Sequence, residues 1–331
     1  MGGFTTRLVF SMKLGNVLIT GCAGDIAISI LRILREVAPL SRIFGSDIHD
    51  DHPGQLLYDK CLVLPKASDS DYFRKIAEVV ETYAVNVIIP TSESEIYEFD
   101  ALRCSGSEFA FLFSQQYILM ANSKSIEIGK DKLKTARYLQ SQGLPFPWSV
   151  PVSEGSPREI PCILKKACSQ GSKHIYQINH LSDVAFFGEK HQDWIWQELL
   201  GPNNQEYTCG LFSSKSGEVR QIVLRRKLVG GLTGSAQVIV DTSISDLLVE
   251  LAKSLQLSGS INVQLRLTER GPVIFEVNPR FSSTVRFRHL LGFCDVVWSL
   301  QDKFGYTIDP YTPPEENTRM YKVAEELLLT N

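Results

Sequence analysis

Two short runs late in the chain constrain it more than anything else in the sequence. Ile261-Asn262-Val263-Gln264-Leu265-Arg266-Leu267 alternates apolar and polar side chains, and Ile274-Phe275-Glu276-Val277-Asn278-Pro279-Arg280 alternates from Phe275 onward. Neighbouring residues of a strand point to opposite faces, and residues two apart share one. Asn262, Gln264 and Arg266 thus share a face of the first run. Glu276, Asn278 and Arg280 share a face of the second, with Phe275 and Val277 on the other. Thr268-Glu269-Arg270-Gly271-Pro272 between them reads as a hairpin connection. Pairing Leu267 with Val273 sets Gln264 opposite Glu276 and Asn262 opposite Asn278. Oxygen donors and an arginine then share one patch, a combination that suits Mg²⁺ and phosphate. An amphipathic hairpin with a solvated polar face has the same pattern, so the rest of the chain must decide between them.

Composition narrows the field. The 331 residues are 44% hydrophobic and 21% charged, long enough for two or three domains. A formal charge of −3 gives no reason to expect nucleic acid or an anionic membrane as partner. No apolar run reaches the roughly 18 residues of a spanning helix. Residues 1–11 have no signal-peptide core and read as a disordered extension or early start, with Met12 the more natural beginning. The seven cysteines, at 22, 61, 104, 162, 168, 209 and 294, include no C-x-x-C pair and mostly sit in apolar runs. They read as small hydrophobes of a cytoplasmic protein rather than as a zinc or disulfide framework.

From residue 12 to about 120 the pattern is βαβ. Val17-Leu18-Ile19-Thr20 is a buried strand, Gly21-Cys22-Ala23-Gly24 a tight turn, and Ile26 to Val37 a helix with apolar positions 26, 30, 33, 34 and 37. A second strand ends on Asp47, about twenty residues after the glycines, as in dinucleotide-binding folds. The spacing is Gly-x-x-Gly, without the third glycine that close helix–strand packing needs, which favours a Rossmann-like unit without NAD. A helix from Asp71 to Tyr83 leads to the strand Val85 to Pro90, followed by Thr91-Ser92-Glu93-Ser94-Glu95. Ligands of open parallel sheets gather beyond the carboxyl ends of the strands. Glu93 and Glu95 are therefore candidate substrate contacts, although Thr91 or Ser92 as a helix N-cap explains the segment equally well. Glu108 to Phe113 reads as a further strand.

The segment Glu276-Val277-Asn278-Pro279-Arg280 resembles the metal-binding strand of ATP-grasp enzymes. With glutamine on the preceding strand it is most similar to the branch of the carbamoyl phosphate synthetase large subunit, here in a single-half, stand-alone form. The resemblance spans nearly all of residues 14–328. It implies an α/β fold, α+β in its C-terminal part, with a Rossmann-like pre-ATP-grasp domain over 12–120. The ATP-grasp domain would occupy 121–331, a first subdomain with the phosphate loop at 121–195 and a second with the metal hairpin at 196–331.

Residue by residue, the resemblance implies a site. Asp131-Lys132 opens a helix that ends in Gly143-Leu144-Pro145-Phe146-Pro147, and Lys132 matches a phosphate-contacting cation. Lys165 matches the lysine aimed at the α- and β-phosphates. Ala167 to Lys173 resembles the mobile phosphate loop, with Ser169, Ser172 and Lys173 as contacts. Two departures stand out there: Lys166 replaces the usual proline, and the loop has a single glycine. Gln197-Glu198-Leu199-Leu200 matches the hinge whose backbone reads adenine, and Glu206 the carboxylate that reads ribose. Gln264, Glu276 and Asn278 would hold Mg²⁺, for which Mn²⁺ is a possible substitute. Arg280, with Lys132 and Lys165, would offset the charge of the transferred phosphoryl group. Arg226, Lys227, Ser282, Ser283 and Arg286 are weaker candidates for the substrates.

Together these parts imply ATP-dependent ligation: a small-molecule carboxylate takes the γ-phosphoryl group and an amine displaces phosphate from the acyl-phosphate. Carbamoyl-phosphate-type activity on bicarbonate, a nucleotide-binding or regulatory protein without turnover, and an NAD-dependent oxidoreductase are the alternatives. The co-substrates are small molecules that no residue pattern names. Related enzymes are often dimers, which leaves a homodimer open.

Overall fold

The computed structural model describes residues 12–168, 175–202, 205–229 and 232–323. The extension expected over 1–11 lies outside them. The first unit runs β1 (Asn16–Thr20), α1 (Asp25–Val37), β2 (Ile43–Asp47), β3 (Lys60–Val63), α2 (Tyr72–Thr82), β4 (Val85–Ile89), α3 (Glu93–Arg103), α4 (Leu112–Gln115) and β5 (Tyr117–Ile118). Its five strands form a parallel sheet in the order β3-β2-β1-β4-β5. Val17, Leu18, Ile19, Val87, Ile88 and Ile89 are all fully buried. Strands covered by helices on both faces read as continuous apolar runs, which is why β1 and β4 were legible.

Ser92 caps α3 by accepting from the Glu95 amide at 3.3 Å. The strand expected over Glu108 to Phe113 is instead a 3₁₀ turn, Glu108–Phe111, running into α4. Ser107 Oγ accepts from the Phe109 amide and starts the turn. Phe109, Leu112 and Phe113 then fall at helical spacing onto one core.

The second unit holds α5 (Ser123–Gly129), α6 (Lys132–Ser141), β6 (Ser149–Pro151), β7 (Cys162–Lys166), β8 (Ile175–Ile178), α7 (Leu181–Lys190) and β9 (Trp194–Glu198). Its antiparallel sheet has the order β6-β9-β7-β8. The last unit has β10 (Glu206–Ser213), β11 (Val219–Val229), β12 (Leu232–Ile239), α8 (Thr242–Leu255), β13 (Gly259–Thr268), β14 (Gly271–Asn278), α9 (Val285–Leu290), α10 (Asp295–Phe304) and β15 (Arg319–Tyr321). Six strands form its sheet in the order β14-β13-β10-β11-β12-β15. Near the end of the chain Arg319–Tyr321 supplies β15, and residues from 324 onward lie outside the described ones. No helix among the described residues is long and apolar enough to cross a membrane.

The first and last units share a core. Val17, Ile19, Ile30 and Leu34 pack in one cluster with Phe281, Val285, Val296 and Leu300. Below it, Arg288 and Asp295 are 0% and 1% exposed and paired at 2.8 Å, and Ser260 Oγ donates to the same carboxylate oxygen. Gly210 makes room for the guanidinium, because a Cβ there would stand 2.6 Å from Arg288 Cδ. Burial opposes the charge of both partners, lowering the pKa of Arg288 and raising that of Asp295. Removing one partner of a buried pair strands the other charge. Asp295→Asn should therefore lower the unfolding free energy by about 3–5 kcal/mol, and adding Arg288→Met should recover most of the loss in urea titrations.

Candidate nucleotide and metal site

β13 and β14 pair antiparallel, with Gln264 opposite Glu276 and Asn262 opposite Asn278. Nearer the turn, Leu265 pairs with Ile274 and Leu267 with Pro272, so the expected Leu267–Val273 pairing is off by one. Phe275 is the extra residue, a β-bulge. The bulge breaks the alternation: Phe275, expected on the far face, lines the same pocket as Glu276.

That pocket, about 120 Å³, lies between the two antiparallel sheets. Its polar lining is Lys132, Lys165, Gln197, Glu198, Glu206, Gln264, Arg266 and Glu276, and its apolar walls are Ile163, Ile175, Leu200 and Phe275. Lys132, in the first turn of α6, places Nζ 3.6 Å from Glu276 Oε1. Asp131 caps this helix by accepting from the Leu133 and Lys134 amides, which orients Lys132 inward. With its amide turned to satisfy both neighbours, Gln264 donates to Glu276 Oε2 at 3.1 Å and accepts from Arg226 Nη2 at 3.3 Å. Arg226 is half-buried, and burial lowers its pKa.

Lys165 is a deeply buried cation of the pocket. It is 5% exposed, and burial brings its pKa down to about 8, against the opposing pull of Glu276. Among the described residues no hydrogen bond or ion pair holds its ammonium, and the Glu276 carboxylate acts on it without direct contact.

The hinge candidates are held from several sides. Gln197 is 3% exposed and donates to Ser149 Oγ at 2.9 Å. The Glu198 carboxylate accepts from Arg270 at 2.6 Å and from the Trp148 amide at 3.2 Å. Arg266 donates to the Leu200 carbonyl and to Glu206 Oε2, the latter at 3.0 Å. Leu199 does not line the pocket. Sequence reasoning put Arg266 on the polar face with Gln264 without giving it a role, and sent Phe275 to the far face, from which a bulge that no spacing announces turns it inward.

Other candidates lie elsewhere. Asn278 is buried opposite Asn262, whose oxygen accepts from Thr208, and it does not line the pocket. Arg280 donates to Glu93 Oε1 through Nε at 2.9 Å and Nη2 at 2.7 Å, and to the Phe281 carbonyl through Nη1. Glu95 is buried between Tyr72 Oη and Ser92 Oγ, in a separate cavity of the first unit. Ser282 bonds Thr284, and Ser283 bonds Thr233. Arg286, expected near a substrate carboxylate, is not brought to the pocket; both its terminal nitrogens engage Glu36 of α1. Lys227 is exposed in a neighbouring basic cleft with Arg225, Arg226 and Arg319. Ser169, Ser172 and Lys173 lie outside the described residues.

Residues 190–325 match a family model described as ATP-grasp in the biosynthetic pathway with Ter operon. In structure the chain is similar to N5-carboxyaminoimidazole ribonucleotide synthetase from Thermus thermophilus, with a TM-score of 0.69 and 13% identity over 92% of this chain and 81% of that one. The chain has the ATP-grasp fold. Biotin carboxylase from Campylobacter jejuni, in a β-γ-ATP complex, is similar at a TM-score of 0.68 and 13% identity, covering 93% and 74%. L-amino acid ligase from Bacillus licheniformis is similar at 0.64 and 16%, covering 88% and 74%. No curated protein matches the chain by sequence.

A polyphosphate seated beside Lys165 would bind in a pH-dependent way. A bound polyphosphate raises its pKa above the value of about 8 in the free protein. The free protein then loses the proton first as pH rises. Affinity for Mg·ADP should be full below that pH and fall by about tenfold per pH unit above it, until the bound-state pKa is reached. Calorimetry at pH 9, in buffers of differing ionisation enthalpy, should show proton uptake on binding that Lys165→Met abolishes.

Proposed function

We propose that this protein is an ATP- and Mg²⁺-dependent ligase that activates a small-molecule carboxylate as an acyl-phosphate for attack by an amine. The observation that carries the reading is the buried Lys165 ammonium, which shares one pocket with Lys132, Glu276 and Gln264 in an ATP-grasp fold. A polyphosphate would supply the direct anionic partner that Lys165 does not have among the described residues.

The residues suit a divalent cation. Glu276 and Gln264 stand opposite one another on the paired strands and both line the pocket. To ligate the cation beside Glu276, the Gln264 oxygen would turn away from Arg226, from which it accepts in the free protein. Bound there, Mg²⁺ would neutralise phosphate charge. Glu276 is the single anionic ligand of the set, since Asn278 lies apart. Binding of the metal without nucleotide should be weak, and tight Mg²⁺ uptake by the nucleotide-free protein in calorimetry would count against this site.

The chain's own groups then divide the work. Ile163 and Phe275 offer apolar walls for a base, and the hinge near Leu200 offers backbone groups for its edge. Glu206, held by Arg266, has a second oxygen for sugar hydroxyls. Lys132 and Lys165 hold the phosphates in line with the attacking carboxylate. Transfer of this kind depends on positioning and charge neutralisation rather than on an acid or base. Arg226 and Arg280 are the cations for the acceptor side, and Arg280 must share or release Glu93 to serve there.

The test is phosphate and ADP release from Mg·ATP against a panel of carboxylates, bicarbonate and amino acids, with and without amines. Release should depend on one carboxylate and fall by about 100-fold or more in Glu276→Ala. ATP binding without turnover on every panel member would favour a nucleotide-binding protein instead. A response to bicarbonate alone would favour the carboxylating alternative.

A further inference from the structure

A second cluster of reactive side chains lies in the first unit. Cys22 stands in the turn after β1, Cys61 on β3, and His52 in the loop between β2 and β3. Cys22 Sγ is 4.0 Å from Cys61 Sγ and 3.8 Å from His52 Nε2. β1 and β3 are not neighbours, because β2 runs between them. The two thiols meet across Gly45 of β2, which pairs with Cys61 and whose Cβ, if it had one, would stand 2.9 Å from Cys22 Sγ. A side chain at position 45 would occupy the space in which the sulfurs meet.

A soft metal and a thiol pair would both use such a cluster. The three ligand atoms lie within 4.8 Å of one another, compatible with a tetrahedral zinc site. The imidazole argues against the metal. His52 Nδ1 accepts from the Gly54 amide at 3.1 Å, so the neutral ring carries its proton on Nε2, facing sulfur. A metal-bound histidine does the reverse, offering the Nε2 lone pair and donating through Nδ1. The thiols differ from each other as well. Cys61 is half-buried on the edge strand, and its pKa is lowered by the hydrogen bond from Cys22. Cys22 is buried and held protonated by that same contact and by burial.

We propose that Cys22 and Cys61 form a reversible oxidation site, closed to a disulfide by a small hydroperoxide and reopened by a dithiol. The Cys61 thiolate attacks the peroxide: an S–O bond forms, the O–O bond breaks, and alkoxide or hydroxide leaves and takes up a proton. Cys22 then gives up its proton and attacks the Cys61 sulfur; the S–S bond forms, the S–O bond breaks, and water leaves. The peroxide is reduced by the two electrons that the thiols lose. An accessible, low-pKa thiol beside a resolving partner is the arrangement this chemistry requires. The sulfurs must close from 4.0 Å to about 2.05 Å, and the edge position of β3 leaves Cys61 room to move. Gly21 and Gly24 flank Cys22 and line a cavity of about 600 Å³ with Asp47 and Glu95, so the disulfide would tie that cavity's wall to β3.

The test treats the full chain with equimolar hydrogen peroxide, caps the remaining thiols and maps the peptides. A Cys22–Cys61 link that dithiothreitol reverses is expected, with the exposed Cys104 and Cys168 still free. Cys61→Ser should abolish the link, and Cys22→Ser should stop at a dimedone-reactive sulfenic acid on Cys61. Gly45→Ala should slow the link severalfold by filling the space between the sulfurs. Oxidation of Cys104 or Cys168 while Cys22 and Cys61 stay reduced would overturn the proposal. So would equimolar zinc in the purified protein that is lost in Cys61→Ser.

Discussion

One extra residue on β14 determines what lies between the two antiparallel sheets. Without the bulge at Phe275 the strand would alternate strictly, sending that ring to the far face and leaving Glu276 as the strand's sole contribution to the pocket. With it, an apolar wall and a carboxylate stand side by side, and Gln264 still faces Glu276 because the slip falls on the turn side of that pair. The turn is fastened in its shifted register. Arg270, in the connection between the strands, reaches across to Glu198 at the end of β9. Arg266 engages Leu200 and Glu206 at the same time. The pocket is thereby bounded by a strand pair whose register the opposite sheet helps to hold.

What was legible in the chain was what periodicity and caps encode. The buried strands β1 and β4, the helices α1, α2 and α6, and the Gln264–Glu276 pairing all follow from side-chain spacing, with helix ends within a few residues. Glu108 to Phe113 misled because aromatic residues at short spacing fit a strand and a helical turn equally well, and the cap at Ser107 tips the choice. Phe275 misled for a related reason, since a bulge inserts a residue without a sequence mark of its own. The cysteine pair escaped because it depends on strand order: 22 and 61 approach one another only once β2 places a glycine between β1 and β3. Arg286 looked like a substrate ligand because it follows the metal strand. Which acid would meet it depended on how α1 packs against α9, a contact between segments 250 residues apart.

The charges of the cleft explain how such a site persists in a folded chain without a ligand. Lys132 rests near Glu276, Arg266 on Glu206, and Arg280 on Glu93, so each of these cations already faces a carboxylate. Lys165 differs: it is the most deeply buried of them, and its altered proton affinity relieves the cost that ion pairing relieves for the others. A polyphosphate entering the pocket would meet cations partnered by exchangeable carboxylates and, at Lys165, a buried ammonium that no ion pair holds among the described residues. The incoming negative charge replaces interactions the protein already makes, and the net gain is concentrated at Lys165.

The same pairs tie the site to the first unit. Arg280 follows closely on β14, and Glu93 opens α3, so their contact spans the junction between the parallel sheet and the hairpin. The Arg286–Glu36 pair and the apolar cluster joining Ile30 and Leu34 to Val285 and Leu300 reinforce it. Apolar burial of that extent holds two elements together far more firmly than exposed ion pairs do. The segment that follows β14 and the first unit therefore share one apolar core. Beyond the chain connection, the β6-β9-β7-β8 sheet is held to the hairpin by Arg270–Glu198, whose arginine is half exposed, and to α6 by the Lys132–Ala167 backbone contact. That smaller sheet also carries Lys165, so the buried lysine and the carboxylate of Glu276 reach the pocket from different sheets.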